Sequence, residues 1–153
     1  MPSLMHIGSD DVIIDLAATC REEVLAELAS LLSARHPELS PDRLLHLLLE
    51  RESMGSTGIG DGIAIPHCKV PGIEIPLFAI GRSSEGIEFN AIDGQLVNLF
   101  FLVVAPEGDA GLHLKLLARI SRLLKDAAVR TRIMAAASAA EMAAIVTEQE
   151  GRP

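Results

Sequence analysis

The chain has 153 residues, of which 13 are Lys or Arg and 21 are Asp or Glu, so its formal net charge is −8 at pH 7. Hydrophobic residues make up 49% and aromatic residues only 3%, which excludes intrinsic disorder and the stacking surfaces of single-strand nucleic-acid binders. The length predicts one domain, and the acidic balance argues against nucleic acid as a partner because binding phosphates requires a basic face.

The first third of the chain predicts a strand and two helices. A β-branched run at residues 12–16 predicts an edge strand. Thr19 is a good N-cap with Glu22 three residues later, and apolar residues at helical spacing follow until the helix stops before Pro37. A Ser-Pro pair opens a second helix at residues 40–52.

The middle third combines a glycine-rich segment with strands. Residues 55–62 exclude a helix and are too rich in glycine for an ordinary strand. Residues 96–105 are almost continuously apolar and predict a central strand. The other predicted features are a strand at 63–65 that stops at Pro66, a strand at 75–82, a turn at 83–86 and a short strand at 87–89.

The last third predicts three helices, at residues 112–125, 126–136 and 139–148, the last capped by Ser138. No internal repeat or linker interrupts the pattern. Helices, then strands, then helices predict a single-domain α/β fold, a sandwich of helices around a mixed β-sheet.

Cysteine content and hydropathy predict a protein of the reducing cytoplasm. Cys20 and Cys68 are too few for a disulfide scaffold and have no CxxC neighbour. No apolar run reaches the roughly 18 residues that span a bilayer, so we expect no membrane insertion. Residues 1–11 lack the basic and apolar regions of a signal peptide.

His67 is the first candidate for chemistry, because it follows the glycine segment and Pro66. Proline ends a strand, and a neutral imidazole at that point can act as a nucleophile that carries a phosphoryl group. The alternative is a structural histidine bonded to a loop carbonyl. The glycine segment lacks the Lys of a phosphate loop; it either brings backbone N–H groups close to a ligand or forms a flexible loop.

Four other residues are candidates for anion binding. His113 lies near a helix start, where the helix dipole would lower its pKa, or it is a surface histidine. Arg51 has the geometry to bind oxyanions, or it pairs with a helix C-terminus. Ser56 and Thr57 can donate hydroxyl hydrogen bonds to an anion or to the turn itself.

A zinc site formed by His67, Cys68 and His113 is the weaker interpretation. Adjacent strand residues point to opposite faces of a sheet, so His67 and Cys68 are poorly placed to share an ion. We therefore expect neither a metal nor a cofactor.

Three strings of residues resemble a known family. Arg-Glu at 51–52, Gly-Ser-Thr-Gly-Ile-Gly-Asp-Gly-Ile-Ala-Ile-Pro-His-Cys-Lys at 55–69 and His-Leu-Lys-Leu-Leu at 113–117 resemble the enzyme IIA proteins of the bacterial phosphotransferase system. The branch that looks closest is the fructose/mannitol type, in particular its nitrogen-regulatory members. The resemblance implies one type-2 IIA domain over residues 1–153, with a core at about residues 12–147 and an α/β sandwich fold.

The resemblance also implies roles for individual residues. His67 would accept a phosphoryl group from an HPr-like phosphocarrier protein, His113 would orient and stabilise it, and Arg51 would offset the phosphate charge. The loop residues near the phosphate would be Ser56, Thr57 and Gly58. Cys68 departs from the small residue, usually glycine, that the family carries there.

Two functions follow from the resemblance. One is a nitrogen-type regulatory protein whose phosphorylation state sets its affinity for target proteins such as a transporter or kinase. The other is a sugar-specific IIA component that passes phosphate to a IIB component. The first is favoured because 153 residues leave no room for fused transport domains. In both, the chain is a phosphotransferase component rather than an independent enzyme.

Overall fold

The computed structural model describes residues 5–152. Within these residues one strand is followed along the chain by two α-helices, five further strands and three α-helices. The strands are β1 (Val12–Ile13), β2 (Gly58–Gly60), β3 (Ile63–Ala64), β4 (His67–Val70), β5 (Leu77–Ile87) and β6 (Val97–Pro106). The helices are α1 (Arg21–Arg35), α2 (Pro41–Ser53), α3 (Ala110–Lys125), α4 (Ala127–Ala135) and α5 (Ala139–Glu150).

The six strands form one mixed sheet in the order β1-β5-β6-β3-β2, with β4 also paired to β6. β5 runs antiparallel to β6, whereas β3 and β4 run parallel to it. Alternate residues of β6 enter two separate apolar cores, so Phe100 packs with the α1–α2 layer and Phe101 with the α3–α5 layer. The α/β sandwich, the central β6 and the edge position of β1 confirm the sequence prediction.

Three local predictions are wrong in detail. The predicted turn at 83–86 lies inside β5, which continues through a bulge where Gly86 adopts φ 86°. The glycine segment contains β2, because Asp61 and Gly62 (φ 59° and 76°) close a two-residue hairpin to β3. The N-cap of α1 is Cys20, not Thr19 as predicted. Thr19 lies one residue earlier, and its N–H and hydroxyl both donate to the carboxylate of Glu23.

Within residues 5–152, no helix has both the length and the apolar character needed to span a bilayer.

The predicted caps of two helices are confirmed: the hydroxyl of Ser40 accepts from the N–H of Arg43, and that of Ser138 accepts from the N–H of Glu141.

A buried arginine joins the sheet to the C-terminal helical layer. Arg82 lies on β5 with 8% of its surface exposed, and its Nη1 donates to the carbonyls of Ile133, Met134 and Ala136 at the end of α4. Its Nε donates to the carbonyl of Ile14. One side chain therefore satisfies the carbonyls that the end of a helix leaves unpaired.

We predict that Arg82→Ala lowers the free energy of unfolding by about 3 kcal/mol, because several buried carbonyls lose a charged donor. Urea denaturation measures the change. Arg43→Ala, which removes an exposed arginine of α2, is the control and should stay within about 0.5 kcal/mol of the wild type. A loss of similar size in both variants would contradict the assignment.

Candidate functional site

Three elements meet at a surface pocket of about 350 Å³. The end of α2 contributes Arg51, the start of β4 contributes His67, and the first turn of α3 contributes His113. The other lining residues are Leu47, Glu50, Met54, Cys68 and Lys69. The structure thus brings together the three predicted catalytic residues from positions as far apart as 51 and 113.

His67 has a defined tautomer. Its Nδ1 lies 2.7 Å from the carbonyl oxygen of Ile65, and a carbonyl can only accept, so Nδ1 carries the proton. Its Nε2 lies 3.3 Å from Nε of Arg51, whose N–H donates to it. The Nε2 lone pair therefore faces the pocket side of the ring, available to an electrophile that displaces the arginine.

Pro66 explains the position of this imidazole. His67 was predicted to lie at the end of a strand. It instead begins β4, where it pairs with Val103 of β6, after Pro66 has interrupted the pairing of β3. The carbonyl of Pro66 accepts from the N–H of Val103, so the chain crosses the gap without leaving the central strand. The sheet holds the backbone of His67 rigidly in place.

Arg51 is fixed at both of its ends. It lies in the last turn of α2, and its Nη1 donates to the carbonyl of Gly55 over 2.7 Å. Gly55 adopts φ 145°, which favours glycine, and so turns the chain back toward the helix. The guanidinium keeps further N–H groups for an anion in the pocket.

His113 packs against His67, with 5.1 Å between the ring centroids and 58° between the ring planes. It is only 7% exposed, and its buried Nδ1 has no hydrogen-bond partner. An unpaired buried acceptor costs less than an unpaired buried N–H, which favours the tautomer protonated at Nε2. In that tautomer His113 offers one N–H donor at the Nε2 end.

Both imidazoles are neutral at pH 7. Burial lowers the pKa of His113 to about 4, with smaller contributions from His67, Lys69 and Arg51. Burial is also the main cause that lowers the pKa of His67, and Arg51 and Lys69 add to it, while the bond to Ile65 opposes it. The direction for His113 agrees with the sequence prediction, but burial, not a helix dipole, is its main cause.

The start of α3 is capped by one of the chain's own carboxylates. The carboxylate of Asp109 accepts from the N–H of Leu112 and so caps the helix itself. The N–H of Leu112 beside His113 therefore already has an internal partner, and the cations that line the pocket are Arg51 and Lys69.

The predicted loop residues make structural contacts and do not line the pocket. The hydroxyl of Ser56 donates to the carbonyl of Phe89 over 2.6 Å, and that of Thr57 donates to the carboxylate of Glu52. At Gly58 a Cβ would lie 2.9 Å from the Cα of Ala91, so only glycine fits.

Glu52 belongs to the Arg-Glu pair that carries the resemblance, but no role was predicted for it. It is buried beneath the loop, where it accepts from the N–H and hydroxyl of Thr57. Burial raises the pKa of this carboxyl, and the bonds from Thr57 oppose the shift. Glu52 and Arg51 thus anchor opposite parts of the same loop. A carboxylate five residues before a threonine carries no recognisable sequence signature.

Cys68 points away from His67, as the alternation of a strand requires. It packs in the core with α1 and α2, and burial raises the pKa of its thiol to about 12. In the part of the chain that the structure describes, no three His, Cys, Asp or Glu side chains are grouped so as to hold a metal ion.

A family model and curated relatives match almost the whole chain. The model described as "Phosphoenolpyruvate-dependent sugar phosphotransferase system, EIIA 2" matches residues 5–149. A nitrogen regulatory protein of Pseudomonas aeruginosa is 35% identical over 136 residues, covering 89% of this chain and 88% of its own. A fructose-specific EIIABC component of Bacillus subtilis is also 35% identical, over 130 residues that are 85% of this chain but 20% of that protein.

Solved structures give the same result for the fold. The crystal structure of nitrogen regulatory protein IIA-Ntr from Neisseria meningitidis has a TM-score of 0.85 at 32% identity, covering 90% of this chain and 94% of that one. A complex of enzyme IIAMtl with phosphorylated enzyme IIBMtl from Escherichia coli has a TM-score of 0.73 at 17% identity, covering 94% and 98%.

We predict that His113 makes the protein less stable in acid. Because its pKa is about 4 when folded and about 6.5 when unfolded, the unfolded state binds more protons below pH 6.5, and stability falls as the pH falls from 6.5 towards 4. Between pH 7 and pH 5 the loss from this residue is about 2 kcal/mol.

Urea denaturation at the two pH values measures this loss. His113→Gln should lose about 2 kcal/mol less than the wild type over that interval, whereas His46→Gln, which removes an exposed imidazole of α2, should behave as the wild type does. An equal loss in all three proteins would show that His113 is not buried in neutral form.

Proposed function

This chain belongs to the EIIA type-2 family of the phosphotransferase system, and we propose that it is a phosphohistidine-carrying regulatory protein of the nitrogen type. It accepts a phosphoryl group on His67 from an HPr-like carrier, and its phosphorylation state sets its affinity for target proteins in the cytoplasm. The observation that carries the proposal is the neutral His67, whose Nε2 lone pair faces a pocket with Arg51.

The transfer is written as an in-line displacement at phosphorus. The Nε2 lone pair of His67 forms the new N–P bond, and the N–P bond of the donor breaks with its electron pair returning to the donor's ring nitrogen. The Nδ1 proton stays on His67, where the carbonyl of Ile65 stabilises the positive charge that the ring acquires. No further proton transfer is needed, and a histidine donor makes the step close to balanced.

Arg51 and His113 stabilise the transferred group in this proposal. Phosphoryl transfer depends on positioning and charge stabilisation more than on covalent help. The guanidinium of Arg51 moves from Nε2 to the phosphoryl oxygens, which keep it beside the same nitrogen. The Nε2–H of His113 donates to one of those oxygens, and because His113 is neutral it acts as a hydrogen-bond donor, not as an acid.

The loop residues support the site indirectly. Thr57 holds the loop to Glu52, Ser56 holds it to Phe89, and Gly58 allows the chain to pass Ala91 closely. We propose that Ser56, Thr57 and Gly58 keep Gly55 in place to receive Arg51, so that they position the clamp on the phosphate.

Regulation follows from the charge of the modification. Phosphorylation adds up to about two negative charges at His67, in a pocket where the unmodified protein presents the cations Arg51 and Lys69. The relatives named as nitrogen regulatory proteins, which this chain matches over most of their length, favour regulation. A target that distinguishes the two forms would bind phosphorylated protein and His67→Ala protein with different affinities.

A second candidate is sugar transport. The match to the fructose-specific EIIABC component favours it, since a IIA region there shares one chain with B and C regions. In the mannitol system a IIA enzyme forms a complex with phosphorylated IIB. Transport predicts that phosphorylated protein loses its label to a purified IIB component, whereas a protein confined to regulation keeps it.

We predict that His67→Ala abolishes phosphate acceptance. The protein is incubated with enzyme I, an HPr-like carrier and radiolabelled phosphoenolpyruvate. Bound radioactivity reports the label, and intact-protein mass spectrometry at neutral pH reports the added mass of one phosphoryl group. His46→Ala removes an exposed histidine and should be labelled like the wild type. Labelling of the His67→Ala protein would overturn the assignment of the acceptor.

We also predict that His113→Leu slows the transfer by about 100-fold without abolishing it, since the variant loses one hydrogen bond to the phosphoryl group. His113→Gln restores an N–H donor near the position of Nε2 and should recover a large part of the rate. Single-turnover quench measurements report both rates. Equal rates for the Leu and Gln variants would contradict a donor role for His113.

A further inference from the structure

Glu52 is a buried carboxylate beside Arg51 in the last turn of α2, with 4% of its surface exposed. Burial raises the pKa of this carboxyl, because the protein interior disfavours its charged form. A buried carboxylate therefore costs stability unless hydrogen-bond donors satisfy it. The donors come from Thr57, which is also buried, and they connect Glu52 to the phosphoryl-accepting histidine.

A line of hydrogen bonds leads from Glu52 to the Nδ1 side of His67. The carboxylate accepts from both the backbone N–H and the hydroxyl of Thr57. The carbonyl of Thr57 accepts from the N–H of Ile65 over 3.0 Å. The carbonyl of Ile65 in turn accepts from Nδ1 of His67 over 2.7 Å. Two residues, Thr57 and Ile65, therefore connect the carboxylate to the imidazole.

This line of bonds closes into a ring through Arg51. Nε of Arg51 donates to Nε2 of His67 over 3.3 Å, and Arg51 and Glu52 are neighbours on α2. Gly55 joins the same two residues, since its N–H donates to the carbonyl of Glu52 and its carbonyl accepts from Nη1 of Arg51. Neighbouring residues of one helix thus hold both nitrogens of one imidazole, Arg51 directly and Glu52 through two intermediate residues.

The carbonyl of Ile65 lies where the pairing to β6 is interrupted. β3 ends at Ala64 and β4 begins at His67, so residues 65–66 lie between the two paired strands. The N–H of Ile65 is held by Thr57, and Thr57 is held by the carboxylate of Glu52. Removal of the carboxylate would leave two buried donors of Thr57 without this acceptor, which favours a rearrangement of the loop. The carbonyl that faces Nδ1 would then lose its support.

We propose that Glu52 is a positioning residue for phosphoryl transfer, which holds the carbonyl of Ile65 against Nδ1 of His67 through Thr57. This inference rests on the proposed function. The bond at Nδ1 orients the ring so that its Nε2 lone pair faces the pocket, and it stabilises the positive charge that the ring acquires when Nε2 bonds to phosphorus. Because Glu52 acts through other residues, it changes the rate of transfer more than the binding of the donor.

Three variants separate positioning from general stability. Glu52→Leu removes the acceptor at similar side-chain volume. Glu52→Gln has an oxygen that can accept from the N–H of Thr57 and an NH₂ group that can donate to its hydroxyl, so it restores the link without the negative charge. Arg82→Ala, which removes a buried charged side chain from β5, is the control for a loss of stability. Urea denaturation first shows that each protein is folded under the assay conditions.

Initial rates of transfer from a purified phosphorylated HPr-like carrier, taken over a range of carrier concentrations, separate KM from kcat. We expect Glu52→Leu to lower kcat about tenfold while KM changes less than about twofold, because a displaced ring slows the step and leaves the surface that binds the carrier intact. Glu52→Gln should recover kcat to within about threefold of the wild type, and Arg82→Ala should match it. A wild-type kcat in Glu52→Leu, or a Glu52→Gln protein as slow as Glu52→Leu, would overturn the proposal.

Exchange of the Nδ1 proton of His67 with water tests the link in the unphosphorylated protein. Nitrogen-15 NMR measures this exchange, which reports how often the bond to Ile65 opens. We expect exchange about tenfold faster in Glu52→Leu than in the wild type, whereas Glu52→Gln and Arg82→Ala should stay close to the wild type. Equal exchange in Glu52→Leu and the wild type would overturn the proposed link.

Thr57→Val breaks the same link from its other end and provides the test if Glu52→Leu does not fold. This variant keeps the backbone N–H but loses the hydroxyl, so we expect faster exchange of the Nδ1 proton and a kcat about threefold lower. Wild-type exchange together with a wild-type kcat in Thr57→Val would overturn the proposal.

The wild-type protein separates failure of this inference from failure of the proposed function. If the wild type does not accept phosphate on His67, the proposed function is overturned, and the role of Glu52 in transfer with it. If the wild type accepts phosphate and Glu52→Leu accepts it with the same kcat, the role of Glu52 alone is overturned.

Discussion

The site depends on one chain of hydrogen bonds, from the carbonyl of Ile65 through the imidazole of His67 to the guanidinium of Arg51. The carbonyl accepts a proton from Nδ1 and so leaves the lone pair on Nε2. Arg51 lies beside that lone pair, where a proton on Nε2 would face a cation, and so adds to burial, the main cause that lowers the pKa of His67. Both partners select the same tautomer, because the carbonyl can only accept and the guanidinium can only donate.

The fold serves this chain of bonds by bringing distant segments to one end of the sheet. β6 supports both β3 and β4, so Pro66 can interrupt the pairing without displacing His67. The end of α2 and the start of α3 then close on the ring from two layers. The chain is acidic as a whole, yet two cations, Arg51 and Lys69, line the pocket with only one carboxylate, that of Glu50. A local excess of positive charge is what binding a phosphoryl group requires.

Much of the architecture could be predicted from the sequence, because long apolar runs and helix caps are local signals. The central β6 and the Ser40 and Ser138 caps are of this kind. The hairpin at Asp61 and Gly62 was missed although Asp-Gly is a known turn signal, since the surrounding glycines concealed the short strands. β5 was divided because Gly86 resembles a turn, whereas it lies at a bulge that pairing to β6 sustains.

The site was predictable in its residues and not in its contacts. The motif that carries the resemblance contains His67, His113 and Arg51, and the pocket contains all three. The tautomer of His67, the burial of His113 and the anchoring of Thr57 by Glu52 depend on packing between layers, which no local pattern encodes. The structural contacts of Ser56 with Phe89 and of Thr57 with Glu52 likewise depend on the tertiary fold.

The most direct test of the central claim is nitrogen-15 NMR of the histidine rings, before and after phosphorylation by enzyme I, an HPr-like carrier and phosphoenolpyruvate. In the free protein at pH 7, His67 should be neutral and protonated at Nδ1. After phosphorylation its Nε2 should couple to phosphorus while the Nδ1 proton is retained. Phosphorus on Nδ1, or on another residue, would contradict the role assigned to the Ile65–His67–Arg51 chain.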